Sequence, residues 1–213
     1  MTHPRTAVRG NMLGAAAMLL AMVVTFFDPG VKTFGWITAG LAIGGIIGAI
    51  LATRIQMTDM PQLVALFNGF GGIASTLVAG AELIKARSGD GPVGSLSIDV
   101  MIATALSGII GAVTFWGSSI AFGKLQELKV FKKPIAFPGQ QPLNAILAIG
   151  LIGLTFWLVS GQSLGIYVLL VVIASILGVL LVTPIGGADM PVVIALLNSY
   201  SGLAAAATGF VIN

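Results

Sequence analysis

The sequence has few of the residues on which metal sites, disulfides and covalent catalysis depend. Among its 213 residues there is no cysteine, one histidine (His3), and only 8% charged residues. The lack of cysteine excludes disulfides, thiol catalysis and iron–sulfur ligation by this chain, and one histidine in a polar N-terminal tail provides no zinc cluster. Neither a Walker sequence nor a glycine-rich turn after a strand occurs, so no metal or cofactor site is predicted.

Charge is scarce because the chain is mostly apolar. Hydrophobic residues make up 57% of it and the mean hydropathy is +1.05, whereas a soluble domain carries about 25% charged residues. The apolar residues form runs near the ~20 residues that a helix needs to cross a bilayer core. The predicted fold class is therefore an all-α, polytopic transmembrane helical bundle. The net charge of +3 fits basic cytoplasmic loops rather than a nucleic-acid partner.

Seven spans are predicted, and together they form a single transmembrane domain over residues 1–213. The arginines before the first span also suit a signal peptide, but bulky Thr25-Phe26-Phe27 stands where cleavage needs small residues, which favours a retained helix. A tight turn is predicted at Asp28-Pro29-Gly30. The spans are 8–27, 35–53, 60–82, 98–122, 143–160, 164–182 and 190–212.

The distribution of Lys and Arg orients this bundle. The side with the N-terminus holds seven of the ten basic residues and the other side three (Lys32, Lys85 and Arg87). The positive-inside bias therefore places the N-terminus in the cytoplasm. The most basic loop, 124–141, is predicted to be a solvated face that touches a partner domain or anionic lipid. The seven residues are Arg5, Arg9, Arg54, Lys124, Lys129, Lys132 and Lys133.

One segment is repeated at an offset of 130 residues. The first copy is TDMPQLVALFNGFGGIASTLVAG at 58–80, and the second is ADMPVVIALLNSYSGLAAAATGF at 188–210. Spans two and three correspond to spans six and seven, four crossings later, so the copies are predicted to be parallel repeats with both acids on one side. The matched pairs are Asp59 and Asp189, Met60 and Met190, Pro61 and Pro191, Asn68 and Asn198, and Gly72 and Gly202.

Each copy carries an asparagine at half depth, since nine residues of helix place Asn198 about 13 Å from Asp189. Each amide shares a helix face with small residues, which we expect to face protein rather than lipid. Two interpretations stay open: interhelical packing, or a polar pathway in which both amides and Ser118 hold water and relay hydrogen bonds. The small residues are Gly72, Ser75 and Ala79 in one copy, and Gly202, Ala205 and Gly209 in the other.

The two acids also have two interpretations. Asp59 and Asp189 each precede Met-Pro at a helix start, where an acidic N-cap is favoured by the helix dipole. For Asp189 a gating role is equally supported, because Gly186-Gly187 before it is typical of a mobile loop.

These motifs resemble a known family. GGADMPVVIALLNSYSGLAAAATGF at 186–210, GAVTFWGSSIAFGKLQ at 111–126 and MTDMPQLVA at 57–65 are similar to the membrane domain (domain II) of the beta subunit of proton-translocating NAD(P) transhydrogenase. The resemblance covers nearly the whole chain. It implies a proton-conducting part of an enzyme whose hydride transfer, between NAD(H) and NADP(H), takes place on partner domains. This chain would then bind no nucleotide and lack the hydride-transfer site.

The resemblance also implies roles, partners and a location. Asn198 and Ser118 would line the proton route at the level of Asn68, and Asp189 would lie at the cytoplasmic mouth with Asp59. The loop of Gly186 and Gly187 would gate access. The implied partners are the alpha subunit and the NADP-binding domain, in a dimeric assembly in the bacterial inner membrane.

The chain departs from the family at Asn68, where many members have a titrating histidine. Another subunit's helix then supplies the proton carrier, or water and amides do the work, or this copy is inactive. A helix before the first one, a helix after Asn213 and the NADP-binding domain are missing, which predicts a membrane fragment or a split gene product. The alternative functions are a small-solute secondary transporter or channel built on the repeats, and a structural anchor.

Overall fold

The computed structural model describes residues 4–27, 34–88, 96–131 and 133–212, and these ranges contain helices and no strand. All seven long helices are long and apolar enough to cross a membrane, which confirms the predicted all-α transmembrane fold. They are α1 (Pro4–Phe26), α2 (Phe34–Arg54), α3 (Met60–Arg87), α4 (Ile98–Leu125), α5 (Gln140–Gly161), α6 (Leu164–Val182) and α7 (Met190–Ile212). The turn predicted at Asp28-Pro29-Gly30, together with His3, Lys32, Lys132 and Asn213, lies outside the described residues.

The helix ends differ from the prediction by a few residues. Helix α3 continues past residue 82 to Arg87, and α4 continues past residue 122 to Leu125. Helix α5 begins at Gln140 and so includes Pro142. A proline is tolerated there because the first N–H groups of a helix have no intrahelical acceptor.

The chain divides into two compact units, Met1–Ile55 and Gln56–Asn213. The first unit contains α1 and α2, whose ends meet through an aromatic contact: the ring centroids of Phe26 and Phe34 are 4.9 Å apart. The second unit contains α3 to α7 and all the residues for which the sequence predicts a function.

Helix α4 lies at the centre of the second unit and packs against α3, α6 and α7. Its buried residues are mostly small, which lets neighbouring backbones approach closely as membrane helices do. A Cβ atom added to Gly72 of α3 would stand 2.6 Å from the Gly111 carbonyl oxygen of α4, and one added to Gly178 of α6 would stand 2.7 Å from that of Val113. Both crossings are therefore backbone against backbone.

Gly111→Ala is expected to destabilise the second unit by about 1–3 kcal/mol, the usual cost of overpacking. The new methyl would overlap the Gly72 carbonyl oxygen and the Thr76 hydroxyl, so α3 and α4 would have to separate. The measurement is unfolding of the purified protein in detergent. The control is Gly150→Ala on α5, where no atom lies within 4 Å and a gain of about 0.5–1 kcal/mol is expected from helix propensity. Equal stability of the two variants would contradict the packing described.

Candidate functional site

The two copies of the repeat begin with the same local structure. A 3-10 turn, Met57–Asp59 or Gly187–Asp189, leads directly into α3 or α7. The residue before each turn is extended, with φ −78° and ψ 158° at Gln56 and φ −71° and ψ 157° at Gly186. The sequence offset of 130 residues is thus reproduced in the bounds of the two turns and in the extended residue before each.

The starts of α3 and α7 line one cavity of about 440 Å³. Pro61 and Val64 contribute from α3, and their equivalents Pro191 and Ile194 contribute from α7. Since both helices begin at this cavity, they start at the same end of the second unit. Asp59 and Asp189 therefore lie at the same end, as the parallel repeat predicts.

Neither acid is shown to act as a side-chain cap. Asp59 occupies the N-cap position of α3, but its side chain makes no capping hydrogen bond, so this part of the capping interpretation is wrong. The reason is its backbone, which at φ −96° and ψ 3° continues the 3-10 turn instead of adopting the extended conformation of a capping residue. Asp59 is half-buried, and Asp189 is exposed at the equivalent position.

Asn68 and Ser118 form a buried polar pair between α3 and α4. Asn68 Nδ2 donates a hydrogen bond to Ser118 Oγ at 3.0 Å, and the two residues are 6% and 0% exposed. The pair lies between two apolar clusters, one of which includes Ala65 and Ile120 and the other Ala79. Asn68 Oδ1 is buried without a hydrogen-bond partner.

The face of α3 that carries Asn68 is buried as predicted, but the matching face of α7 is not. Gly72, Ser75 and Ala79 are buried in α3, whereas the four residues of the equivalent face in α7 are exposed within this chain. The prediction that protein covers this face is wrong for the chain by itself. The four exposed residues are Asn198, Gly202, Ala205 and Gly209.

The reason for the difference lies in the side of α7 that α4 contacts. Leu197, the residue before the amide, packs 3.2 Å from the position that a Cβ on Gly117 would occupy, beside Val182. This contact turns Asn198 away from α4 and toward the cavity shared with α3. Within the described residues the side chain of Asn198 makes no hydrogen bond, so the structure joins the side chains of Asn68 and Ser118 but leaves that of Asn198 apart.

Lys124 is not part of a solvated face, contrary to the prediction. It is 5% exposed, and its Nζ donates hydrogen bonds to the carbonyl oxygens of Thr183, at 2.7 Å, and Ile185. These carbonyls follow the end of α6, where oxygens lack intrahelical donors and favour a basic group. Lys129 and Lys133 are exposed as expected.

Two further contacts hold the connection between α6 and α7. The backbone N–H of Ile135 donates to the Thr183 carbonyl oxygen at 3.0 Å, and Gln140 Nε2 donates to the Leu180 carbonyl oxygen at 2.7 Å. The end of α4, the loop after it and the start of α5 thus hold the chain from Leu180 to Ile185. Beyond it, Gly187 has no neighbouring atom within 4 Å of a Cβ position, whereas Met190, which follows the loop predicted to gate, is fully buried.

A second buried hydroxyl pair was missed in the sequence. Thr208 Oγ1 of α7 and Ser107 Oγ of α4 are 3.1 Å apart, at hydrogen-bond distance, and both residues are buried. Thr114, between Ser107 and Ser118 on the same helix, is 0% exposed. A signal for a polar face was present in the sequence, because polar or small residues recur every three or four positions along α4. It did not predict a contact between helices, since hydroxyls in a helix usually bond their own backbone.

Comparison with known proteins gives a consistent result. The family model described as NAD(P) transhydrogenase beta subunit matches residues 1–213. Two curated relatives from Rhodospirillum rubrum, each named NAD(P) transhydrogenase subunit beta, are 44% identical over 211 residues. The match covers 99% of this chain and 45% of each relative, so the chain spans less than half the length of these relatives.

Proposed function

The chain belongs to the family of NAD(P) transhydrogenase beta subunits, and we propose that it is the proton-conducting membrane domain of such an enzyme. The observation that carries this proposal is the buried Asn68–Ser118 hydrogen bond. An amide in an apolar bundle is costly unless it is fully paired, and Asn68 Oδ1 is not paired. Polar groups at such positions in membrane proteins commonly mark ion or proton routes.

In the proposed enzyme, proton movement through this chain is coupled to hydride transfer between NAD(H) and NADP(H) on partner domains. Those partners are the alpha subunit and the NADP-binding domain, in a dimeric assembly in the bacterial inner membrane with the N-terminus of this chain in the cytoplasm.

The proposed route joins the cavity at the start of α3 and α7 to the Asn68–Ser118 pair. Asn198 lines this cavity, and the loop from Gly186 to Asp189 gates it. An amide does not titrate near neutral pH, so Asn68 and Asn198 relay hydrogen bonds and do not store the proton. The exposed face of α7 around Asn198 favours a helix of another subunit as the source of the titrating group.

Reconstitution tests this function. Liposomes that contain the complete enzyme assembled with this chain are expected to take up protons during hydride transfer between NAD(H) and NADP(H). An ionophore should then collapse the proton gradient. Liposomes with this chain alone are expected to show no flux. The measurement is fluorescence of an internal pH dye. Ligand-dependent solute flux through the chain alone would contradict the proposal and support a secondary transporter built on the repeats.

A further inference from the structure

Thr114 differs from the other buried threonines of the second unit. The hydroxyls of Thr76, Thr104 and Thr208 each donate to the carbonyl oxygen four residues earlier, at 3.2, 2.8 and 2.8 Å. Thr114 Oγ1 is fully buried and has no hydrogen-bond partner. A buried hydroxyl normally takes this local bond or another one, so the unpaired oxygen needs an explanation.

Thr114 lies beside the Asn68–Ser118 pair. Residues 114 and 118 are four apart, so they lie on the same face of α4. Positions that follow Asn68 on α3 lie against both of them: a Cβ on Gly72 would stand 3.0 Å from Thr114 Cβ, and a Cβ on Gly69 would stand 3.4 Å from Ser118 Cβ. Both unpaired oxygens, Asn68 Oδ1 and Thr114 Oγ1, therefore belong to one short stretch of the α3–α4 interface.

We propose that Asn68, Thr114 and Ser118 form a binding site for one buried water molecule. The water accepts the hydroxyl hydrogens of Thr114 and Ser118 and donates one O–H to Asn68 Oδ1, while the Ser118 oxygen is already taken by Asn68 Nδ2. This gives the water three hydrogen bonds, the usual number for internal water in proteins. It also satisfies both unpaired oxygens at once.

The water extends the proposed route away from the acids. Thr114 is one helical turn, roughly 6 Å, farther from that end than Ser118. Ser107, which pairs with Thr208, lies about 10 Å beyond Thr114 along α4. The existence of the site rests on these contacts alone, whereas its role as a proton relay rests on the proposed function.

The site is tested by solid-state NMR of the complete enzyme in lipid bilayers, with this chain isotopically labelled. Rapid magnetisation transfer from water protons is expected at the Asn68 side-chain amide and at Thr114. The internal reference is Thr104, which is equally buried on the same helix but donates to its own backbone; it should receive no rapid transfer. Absence of transfer at Asn68 in the unmodified enzyme would overturn the site.

The matched variants are Thr114→Val, which removes the hydroxyl at nearly constant volume, and Thr114→Ser, which keeps it. Thr114→Val is expected to remove water transfer at Asn68 and to slow proton pumping on the order of tenfold, the effect of losing a buried hydrogen-bond partner. Thr114→Ser and the control Thr104→Val should retain both. The variants fold if they assemble like the enzyme without substitutions and unfold at the same temperature.

The two proposals fail in different ways. Loss of water transfer in Thr114→Val with unchanged pumping would overturn the relay while the proposed function stands. Water transfer in an assembled unmodified enzyme that moves no protons would instead overturn the proposed function and leave the water site in place.

Discussion

Asn198→Leu is expected to abolish proton pumping by the complete enzyme without preventing its assembly. Asn198 is exposed in this chain and lines the cavity at the start of α3 and α7. Its side chain makes no hydrogen bond within the described residues, and the packing of α7 depends on the buried Leu197 next to it. Replacing the amide therefore removes a polar group from the proposed route and leaves the packing of this chain unchanged.

The measurement is proton uptake in liposomes, together with assembly by size-exclusion chromatography. The matched control is Ser199→Leu, which also replaces an exposed polar residue of α7 but lies about 100° around the helix. The control should pump normally, because Ser199 does not line the cavity. Normal proton uptake by Asn198→Leu would refute its role in the pathway.

A comparison with Asn68 separates a pathway from simple packing. If both asparagines only join helices, Asn68→Ala with Asn198→Ala should lower stability by the modest amount typical of interhelical hydrogen bonds, about 0.6 kcal/mol each, and leave coupling intact. The structure already sets the two side-chain amides apart, since among the described residues that of Asn68 has a hydrogen-bond partner and that of Asn198 has none. Of the two substitutions, only Asn68→Ala is therefore expected to lower stability, whereas each of them is expected to stop proton pumping.

The fold was predictable because it follows from composition and periodicity. Long charge-poor runs require helices in a bilayer. The repeat at an offset of 130 residues predicted that Asp59 and Asp189 lie on one side, and each of them ends the same 3-10 turn. The buried face around Asn68 was also predicted from its spacing of small residues. These features depend on residues close together in the sequence.

The features that were not predicted depend on contacts between distant segments. A helical wheel places Asn198 and Gly202 on one face, but it does not show which face a neighbouring helix contacts. On α7 that contact is made by Leu197, because Gly117 of α4 leaves room for it. Burial of Lys124 likewise depends on acceptors at Thr183 and Ile185, 59 and 61 residues away. No local pattern indicates such a pairing.

The hydrogen bonds of Lys124 hold the backbone directly before the proposed gate. The loop from Gly186 to Asp189 begins one residue after the Ile185 carbonyl that Lys124 holds. Thr183 is held twice, by Lys124 and by the backbone of Ile135. Loss of Lys124 would therefore release Ile185 first, while Thr183 keeps a partner.

Lys124→Met is expected to loosen the gate and to uncouple hydride transfer from proton movement. An unpaired buried carbonyl costs about 1–3 kcal/mol, so the Ile185 oxygen should turn toward solvent and local opening should rise roughly tenfold to a hundredfold. Hydrogen exchange of the backbone amides from 186 to 190 in the complete enzyme measures this opening. Proton uptake per hydride transferred measures the coupling.

Global stability is a poor measure of this variant, since removing the cost of burying a charged group opposes the loss of the two hydrogen bonds. Lys124→Met can therefore melt at an unchanged temperature and still exchange faster at the gate. The control is Lys129→Met, the same substitution at an exposed lysine of the same loop, where exchange and coupling should stay as they are. Equal exchange at the gate in both variants would show that Lys124 does not anchor it.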